Sequence, residues 1–517
     1  VSRDAALKRS WSLAFGSQAE TLRLADDIAG IVRPGDIIAL SGDLGAGKST
    51  FARALIRHLA NDPRLEAPSP TFTLMQSYET PRGRVVHADL YRLRGPDELV
   101  ELGFDEALHD AIGLVEWPDR AGESLDAASR LDIVFDLDPG AGNQTGDEHR
   151  LVTLIPGAAW AERLGLTLGA RQLIDRAGWG EAERRHMLGD ASTRAYERLV
   201  RANGETAILM ISPPRPDGPA VRGGKPYSAV ARLAERVDAF VAIDRGLRAL
   251  ELSAPEIYAS DLVNGLLLIE DLGSEGVLGA DGLPDRARYE VAVEVLAAIH
   301  AQPLPTILPV AEGREYVIPD YDAEALAIET ELLLDWYAPH IAGVTLPAIA
   351  RAEFSRAFAP LFDTLAKGQR TWALRDYHSP NLIWLPSREG LCRIGIIDFQ
   401  DAVLGHPAYD VVSLGQDARV DVAPELEFRL LSRYAAARRA RDASFDLGAF
   451  AAAYAIMGAQ RNTKILGIFA RLDKRDGKPA YLKHLPRIEA YLRRDLAHPA
   501  LSGLRAWYEA YLPRLLG

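Results

Sequence analysis

Gly42-Asp43-Leu44-Gly45-Ala46-Gly47-Lys48-Ser49 fits G-x-x-x-x-G-K-[ST] without a mismatch, and no other stretch of the chain restricts its folding so tightly. The apolar run DIIALSG precedes it and the helical pattern STFARALIRHLA follows it, which predicts a strand, a tight loop and a helix in succession. In that order the glycines let successive peptide N–H groups curl around phosphate oxygens, and the helix N-terminus adds positive potential. Lys48 is placed to reach β and γ phosphates and the Ser49 hydroxyl to ligand Mg²⁺, so ATP and Mg²⁺ are the expected ligands.

From Ile37 to about Pro156 the pattern alternates strands (DIIALSG, GRVVHADLY, IGLVEW, LDIVFDL, RLVTLIP) with helices (STFARALIRHLA, PDELVELGFDEALHD), an α/β block. PGAGNQTGDEHR, residues 139 to 150, reads as a solvated hairpin loop. Asp89 ends a strand where a Mg²⁺ carboxylate sits in this fold, although a strand-end aspartate also serves as a cap. Thr71 and Thr73 lie on a loop positioned like a switch segment. Glu116 stands at the carboxyl end of a strand, the edge where ligands bind, either to polarise an attacking water or as a salt-bridged surface glutamate. GDLGAGKST, SPTFTL, HADLYRL and LVEWPDR, in that order, resemble the bacterial TsaE (YjeE) family over about the first 155 residues. The resemblance implies a small ATPase that assists N6-threonylcarbamoylation of adenosine 37 in tRNA. It would act through protein subunits of the threonylcarbamoylation complex and touch tRNA only indirectly. It also assigns nucleotide, metal and hydrolysis roles to Lys48, Ser49, Thr50, Asp89, Glu116 and Trp117.

A second pattern starts after GAAWAERLGLTLG, residues 157 to 169, which puts the domain boundary near residues 156 to 168. GARQLIDRAGWG is helical, a strand-rich section runs from Met187 to Leu272, and from Ala287 onward the period is helical except around NLIWL and RIGIID. This predicts two domains, 1–157 and 168–517, the latter a two-lobed α+β protein-kinase-like unit with a small lobe at about 168–273 and a helical lobe at about 274–517. In LRDYHSPN, Asp376 can accept the proton of a substrate hydroxyl and Asn381 can ligand Mg²⁺. Asp398, in IIDFQDA, ends an apolar strand where the second metal ligand of the kinase pattern falls. LGDASTRAYERL reads as strand, small polar turn and strand, with Ser192, Thr193 and Arg194 covering the phosphates of ATP. LLLIEDLG runs into a hinge whose backbone, at Glu270 to Leu272, suits the adenine edge. GDAS, IEDLG, RDYHSPNL, IDFQDA, AYDVVSL and QRNTKILGIFARLDKRDGKPAYL together resemble the aminoglycoside-phosphotransferase-like kinases, nearest the AmgK amino-sugar branch, from about Gly169 onward. That resemblance implies transfer from ATP to the anomeric hydroxyl of N-acetylmuramate or N-acetylglucosamine in cell-wall recycling, with Asp376 as base and Asn381 and Asp398 as Mg²⁺ ligands.

Two positions depart from the kinase pattern. Leu374 stands where protein kinases carry histidine, and Met210 where a phosphate-binding lysine is expected. A pseudokinase, a substitute cation (Arg194 or Lys225) and a branch without the lysine are the three explanations. The acceptor also stays open: choline, an amino alcohol or an aminoglycoside would suit a related kinase, and a non-catalytic nucleotide-binding regulatory module is a further alternative. Glu329, Glu331 and Asp335 are candidates to face the acceptor, or else form a wet helix face. QRNTKILGIFARLDKRDGK reads as a core-packing helix with a solvated basic face. His300 ends a helix, no metal-ligand cluster of histidine and cysteine is visible, and Cys392, the single cysteine, reads as core. A net charge of −13 argues against a protein that coats nucleic acid. The start, VSRDAALKRSWSLAF, shows no signal-peptide pattern and no stretch is long and apolar enough to span a bilayer, so a cytoplasmic location without membrane contact is expected.

Overall fold

The computed structural model describes residues 10–94, 97–137, 149–187, 194–214 and 218–517. Ser192 and Thr193, and nearly all of the loop expected at 139 to 150, lie outside the described residues. The chain divides after Gln172 into two compact units.

In the first unit seven strands form one mixed sheet: β1 (Trp11–Phe15), β2 (Ile37–Gly42), β3 (Met75–Thr80), β4 (Gly83–Asp89), β5 (Ile112–Glu116), β6 (Arg130–Leu137) and β7 (Arg150–Pro156). Their order is β1-β7-β6-β2-β5-β4-β3, with β6, β2, β5 and β4 mutually parallel and the rest antiparallel. Alternate side chains of the central strands feed two cores. Ile38, Leu40, Ile112 and Leu114 pack with Leu24 and Ile28 of the helix Gln18–Ile31 and with Phe51 and Leu55 of the helix Lys48–Ala60. Ile37 and Val115 point the other way, onto Leu90, Leu93, Phe104 and Leu125. Burial on both faces is why the parallel strands read as nearly continuous apolar runs.

The first unit differs from the sequence reading in several elements. β1 and the helix Gln18–Ile31 add to the block, and the loop read through SPTFTLMQSY gives way at Met75 to β3. PDELVELGFDEALHD holds two short helices, Asp97–Glu101 and Phe104–Leu108, because Gly103 between them takes φ +63°. After β7 the helix Ala161–Arg176 begins, and Arg163 anchors it with two hydrogen bonds to the Asp36 carboxylate, both 2.7 Å.

The second unit opens with a five-stranded antiparallel sheet. β8 (Glu183–Met187), β9 (Ala195–Val200) and β10 (Thr206–Ile211) precede a small hairpin of β11 (Ala220–Arg222) and β12 (Lys225–Pro226), which stands outside the sheet. β13 (Ile257–Asp261) and β14 (Leu266–Glu270) complete the order β13-β14-β10-β9-β8. The section read as strand-rich also contains a helix, Val237–Ala249, whose Val237, Phe240, Val241 and Leu247 recur at helical spacing and are buried. The remainder is helical around the long helix Leu447–Lys474. Gly467 of that helix lies against Leu332, where a Cβ would stand 2.3 Å from the Leu332 carbonyl carbon. A hairpin, Ile307–Ala311 with Arg314–Val317, and the strand pair Thr371–Ala373 with Val403–Gly405 interrupt the helices beyond the expected pair Leu382–Trp384 and Ile394–Ile396. Cys392 is half-buried on a short turn, its thiol donating to Glu251 O, and so lies outside the core where the sequence placed it. Among the described residues no helix is long and apolar enough to cross a membrane.

Candidate active sites

In the first unit the loop from Gly42 to Gly47 turns tightly between β2 and its helix. Gly42 takes φ +132°, and a Cβ there would meet Phe135 O at 2.2 Å, so only glycine fits. Gly45 and Gly47 also take positive φ, and Asp43, Leu44 and Gly45 form the exposed crest while Ala46 is buried. Lys48 Nζ is buried and donates to Gly42 O at 2.7 Å and Asp43 O at 2.9 Å, with the Trp117 ring 4.2 Å away. Burial pulls the Lys48 ammonium below its ordinary value, opposed by the charges of Glu116, Asp89 and Asp43. Ser49 Oγ donates to Glu116 Oε2 at 2.9 Å, and the other Glu116 oxygen is 3.0 Å from His87 Nε2. Glu116 is buried, which removes the surface salt-bridge reading. Asp89 Oδ2 accepts from Thr71 Oγ1 and Ser69 Oγ, both at 2.8 Å, so the switch-like loop is tied to the end of β4. Trp117, at φ +60°, packs against Tyr91 with ring centroids 5.1 Å apart and planes tilted by 51°. Thr50 faces a separate groove with Gln18, Arg53 and Arg57. Parallel pairing of β4 with β5 places Asp89 opposite Glu116, the reason two strand-end carboxylates meet one P-loop. His87 was missed by the sequence reading, although HADLYRL contains it two residues before Asp89.

In the second unit a cavity of 590 Å³ holds Arg194, Glu270, Leu272, Asp376, Asn381 and Asp398. Asn381 Nδ2 donates to the Asp376 carbonyl at 3.0 Å and lies 3.4 Å from Asp398 Oδ2. Asp398 sits at φ +58°, a left-handed conformation that costs an aspartate about 1 kcal/mol and turns its carboxylate toward Asn381. Gln400 Nε2 holds its other oxygen at 2.8 Å. Burial and the neighbouring Asp376 raise the Asp398 carboxyl. Burial would raise Asp376 too, but His378, Lys464, Arg375 and Arg461 together hold it below the usual range. Burial, with Arg419 and Arg461 nearby, lowers His378 to about 4, so it is neutral at pH 7. With His378 neutral, Lys464, Arg375 and Arg461 are the cations that hold Asp376 low.

The loop carrying Asp376 is clamped from behind. Asp410 accepts from Leu374 N at 2.7 Å and Arg375 N at 2.9 Å, and Asp417 accepts from Ser379 N and Oγ. Leu374, at the departure from the kinase pattern, is buried. The Arg375 guanidinium pairs with Glu329, which also binds Lys464 Nζ at 2.8 Å. Glu329 is 0% exposed, so it belongs to this internal network and not to an acceptor pocket. Glu331 pairs with Arg222 and Asp335 with Arg351, both outside the cavity. Met210 is 1% exposed in the core, Lys225 is exposed on β12, and Arg194 Nη1 stands 3.6 Å from Asp398 Oδ1. At the hinge, Glu270 N is taken by Glu256 O, Asp271 pairs with Arg198 at 2.8 Å, and Leu272 has no backbone partner among the described residues. In QRNTKILGIFARLDKRDGK the expected solvated basic face is found at Lys474 and Arg475, which are exposed, but not at its start: Arg461 is buried, Lys464 is largely buried, and both line the cavity.

Residues 15–143 match the family described as "Threonylcarbamoyl adenosine biosynthesis protein TsaE", and residues 184–450 the "Phosphotransferase enzyme family". The N-acetylmuramate/N-acetylglucosamine kinase of Caulobacter vibrioides is 43% identical over 350 residues, 65% of this chain and 94% of that protein. The tRNA threonylcarbamoyladenosine biosynthesis protein TsaE of Rickettsia felis is 45% identical over 20% of this chain and 61% of that protein. The protein of the same name in Rickettsia prowazekii is 44% identical over 20% of this chain and 71% of that protein. The chain belongs to the TsaE family through its first unit and to the phosphotransferase enzyme family through its second. It joins a P-loop ATPase to an ATP-dependent phosphotransferase.

Proposed function

We propose that the second unit phosphorylates the anomeric hydroxyl of N-acetylmuramate or N-acetylglucosamine, and that the first hydrolyses ATP in support of tRNA threonylcarbamoylation through partner subunits. The observation that carries the kinase reading is the convergence of an ionised Asp376 with Asn381 and Asp398 in one cavity that ends at the Leu272 hinge. The Caulobacter kinase, similar over nearly its whole length, supplies the substrate class.

Asp376 accepts the proton of the sugar hydroxyl as its oxygen attacks the terminal phosphorus of ATP. The bond from that phosphorus to the bridging oxygen breaks, and ADP leaves. Asn381 and Asp398 offer hard oxygen donors, a set that fits Mg²⁺ held jointly with phosphate oxygens. A Mg²⁺ held by these two residues would supply neutralisation of charge on the phosphates. Arg194 supplies the cation that Met210 does not. Leu272 offers its peptide groups to adenine, while the Glu270 N–H is already engaged and that residue borders the base through its carbonyl side. In the first unit Lys48 exchanges the Gly42 and Asp43 carbonyls for phosphate oxygens. Ser49 and Asp89 are the groups suited to Mg²⁺, Thr71 couples the switch-like loop to Asp89, and Glu116, aligned by His87, orients water. Both units work without a membrane surface, which suits the cytoplasm.

The test is phosphorus NMR of the product formed from ATP, Mg²⁺ and each sugar by the full chain. A sugar 1-phosphate is expected, absent with Asp376→Asn. Phosphate on another hydroxyl, or on none, would contradict the reading.

A further inference from the structure

Of the cations lining the kinase cavity, Lys464 is matched by Glu329 and Arg194 faces Asp398. Two others have no carboxylate within ion-pair distance among the described residues. Arg461, 4% exposed, has a single hydrogen bond, from Nη1 to Gln416 O at a long 3.4 Å. Among the described residues the half-buried Arg419 guanidinium has the His378 imidazole as its hydrogen-bond partner, at 3.2 Å from Nη1, and Asp417 accepts from the Arg419 backbone N–H, not from its guanidinium. Both line the cavity beside Asp376 and His378, and both electrostatically disfavour a charged His378.

A guanidinium this deeply buried is expensive without a counter-charge, so an anion that arrives with a ligand would complete the site. ATP phosphates are one source, but their end of the cavity is marked by Asn381, Asp398 and Arg194. Arg461 and Arg419 stand on the His378 side of the base, where the acceptor must present its hydroxyl. A planar guanidinium pair suits a carboxylate. N-acetylmuramate carries one on its lactyl ether; N-acetylglucosamine has none.

We propose that Arg461 and Arg419 form a carboxylate subsite for the acceptor, which makes this chain selective for N-acetylmuramate over N-acetylglucosamine. The inference rests on the amino-sugar reading above. It is tested by kcat/KM for both sugars with the full chain, wild type, Arg461→Gln and Arg419→Gln. The expected result is a fall of about tenfold or more in the N-acetylmuramate to N-acetylglucosamine ratio, carried by KM for N-acetylmuramate and partly restored by Arg461→Lys. A ratio unchanged in both variants would overturn the subsite, because both sugars would then depend on these arginines alike. Should Arg461→Gln fail to fold, Arg419→Gln at the half-exposed edge carries the same readout. If the wild type phosphorylates neither sugar, the amino-sugar reading falls first and the subsite with it.

Discussion

Asp376 and Asp398 are two carboxylates in one cavity pushed in opposite directions. Asp376 is held low by neighbouring cations, as the base proposed for this site requires, whereas burial and Asp376 itself raise Asp398. As pH falls, Asp398 therefore takes its proton first, above the ordinary aspartate range, while Asp376 is still charged. The acid limb of kcat/KM for the kinase should accordingly lie above that range. Because proton and metal compete for the same oxygens, more Mg²⁺ should move it to lower pH. A limb that ignores Mg²⁺ would assign it to another group. In the first unit Glu116 is held between Ser49 and His87 by one hydrogen bond to each carboxylate oxygen.

At the scale of elements, the catalytic loop depends on a helix far away in sequence. Glu329 of the helix Ala323–Leu332 binds Arg375, next to the base, and Lys464 of the long helix. Burial would raise its carboxyl, but Lys464 and Arg375 hold it below the usual value. The network's stabilisation is therefore complete above the ordinary glutamate range and lost in acid, as pH falls through the depressed value. Glu329→Gln leaves two buried cations without a counter-charge. It should cost about 3–5 kcal/mol in denaturant unfolding of the second unit and lower kcat as Arg375 shifts; a loss under 1 kcal/mol would show the pair to be incidental. Such long-range choices are also where sequence reading stopped. Gly42 to Ser49, or Asp376 with Asn381, were legible because their chemistry needs short fixed spacings that the chain displays directly. Glu329 was read as a possible acceptor contact, and Arg461 as part of a solvated face, because helical period alone does not say whether a charged residue meets water, an ion partner or a cavity. The helix Val237–Ala249 was lost among strands for a related reason, since its apolar face resembles a buried strand when read in short windows.

At the scale of the whole molecule, two ways of holding ATP occur in one chain because they perform different chemistry. The loop of the first unit turns into a helix N-terminus, a shape suited to holding phosphates with peptide N–H groups, whereas the second unit offers a cavity lined from both its sheet and its helices. Each set of site residues lies wholly within its own compact unit. Among the described residues the candidate sites are thus assembled separately, and each activity should survive loss of its neighbour. The most direct test measures ATP hydrolysis without sugar and sugar phosphorylation side by side, in wild type, Lys48→Ala and Asp376→Asn. The account predicts that Lys48→Ala loses sugar-independent hydrolysis and keeps sugar phosphorylation within about twofold, and that Asp376→Asn does the reverse, losing at least about a hundredfold in phosphorylation. Loss of both activities in either variant would contradict two independent sites.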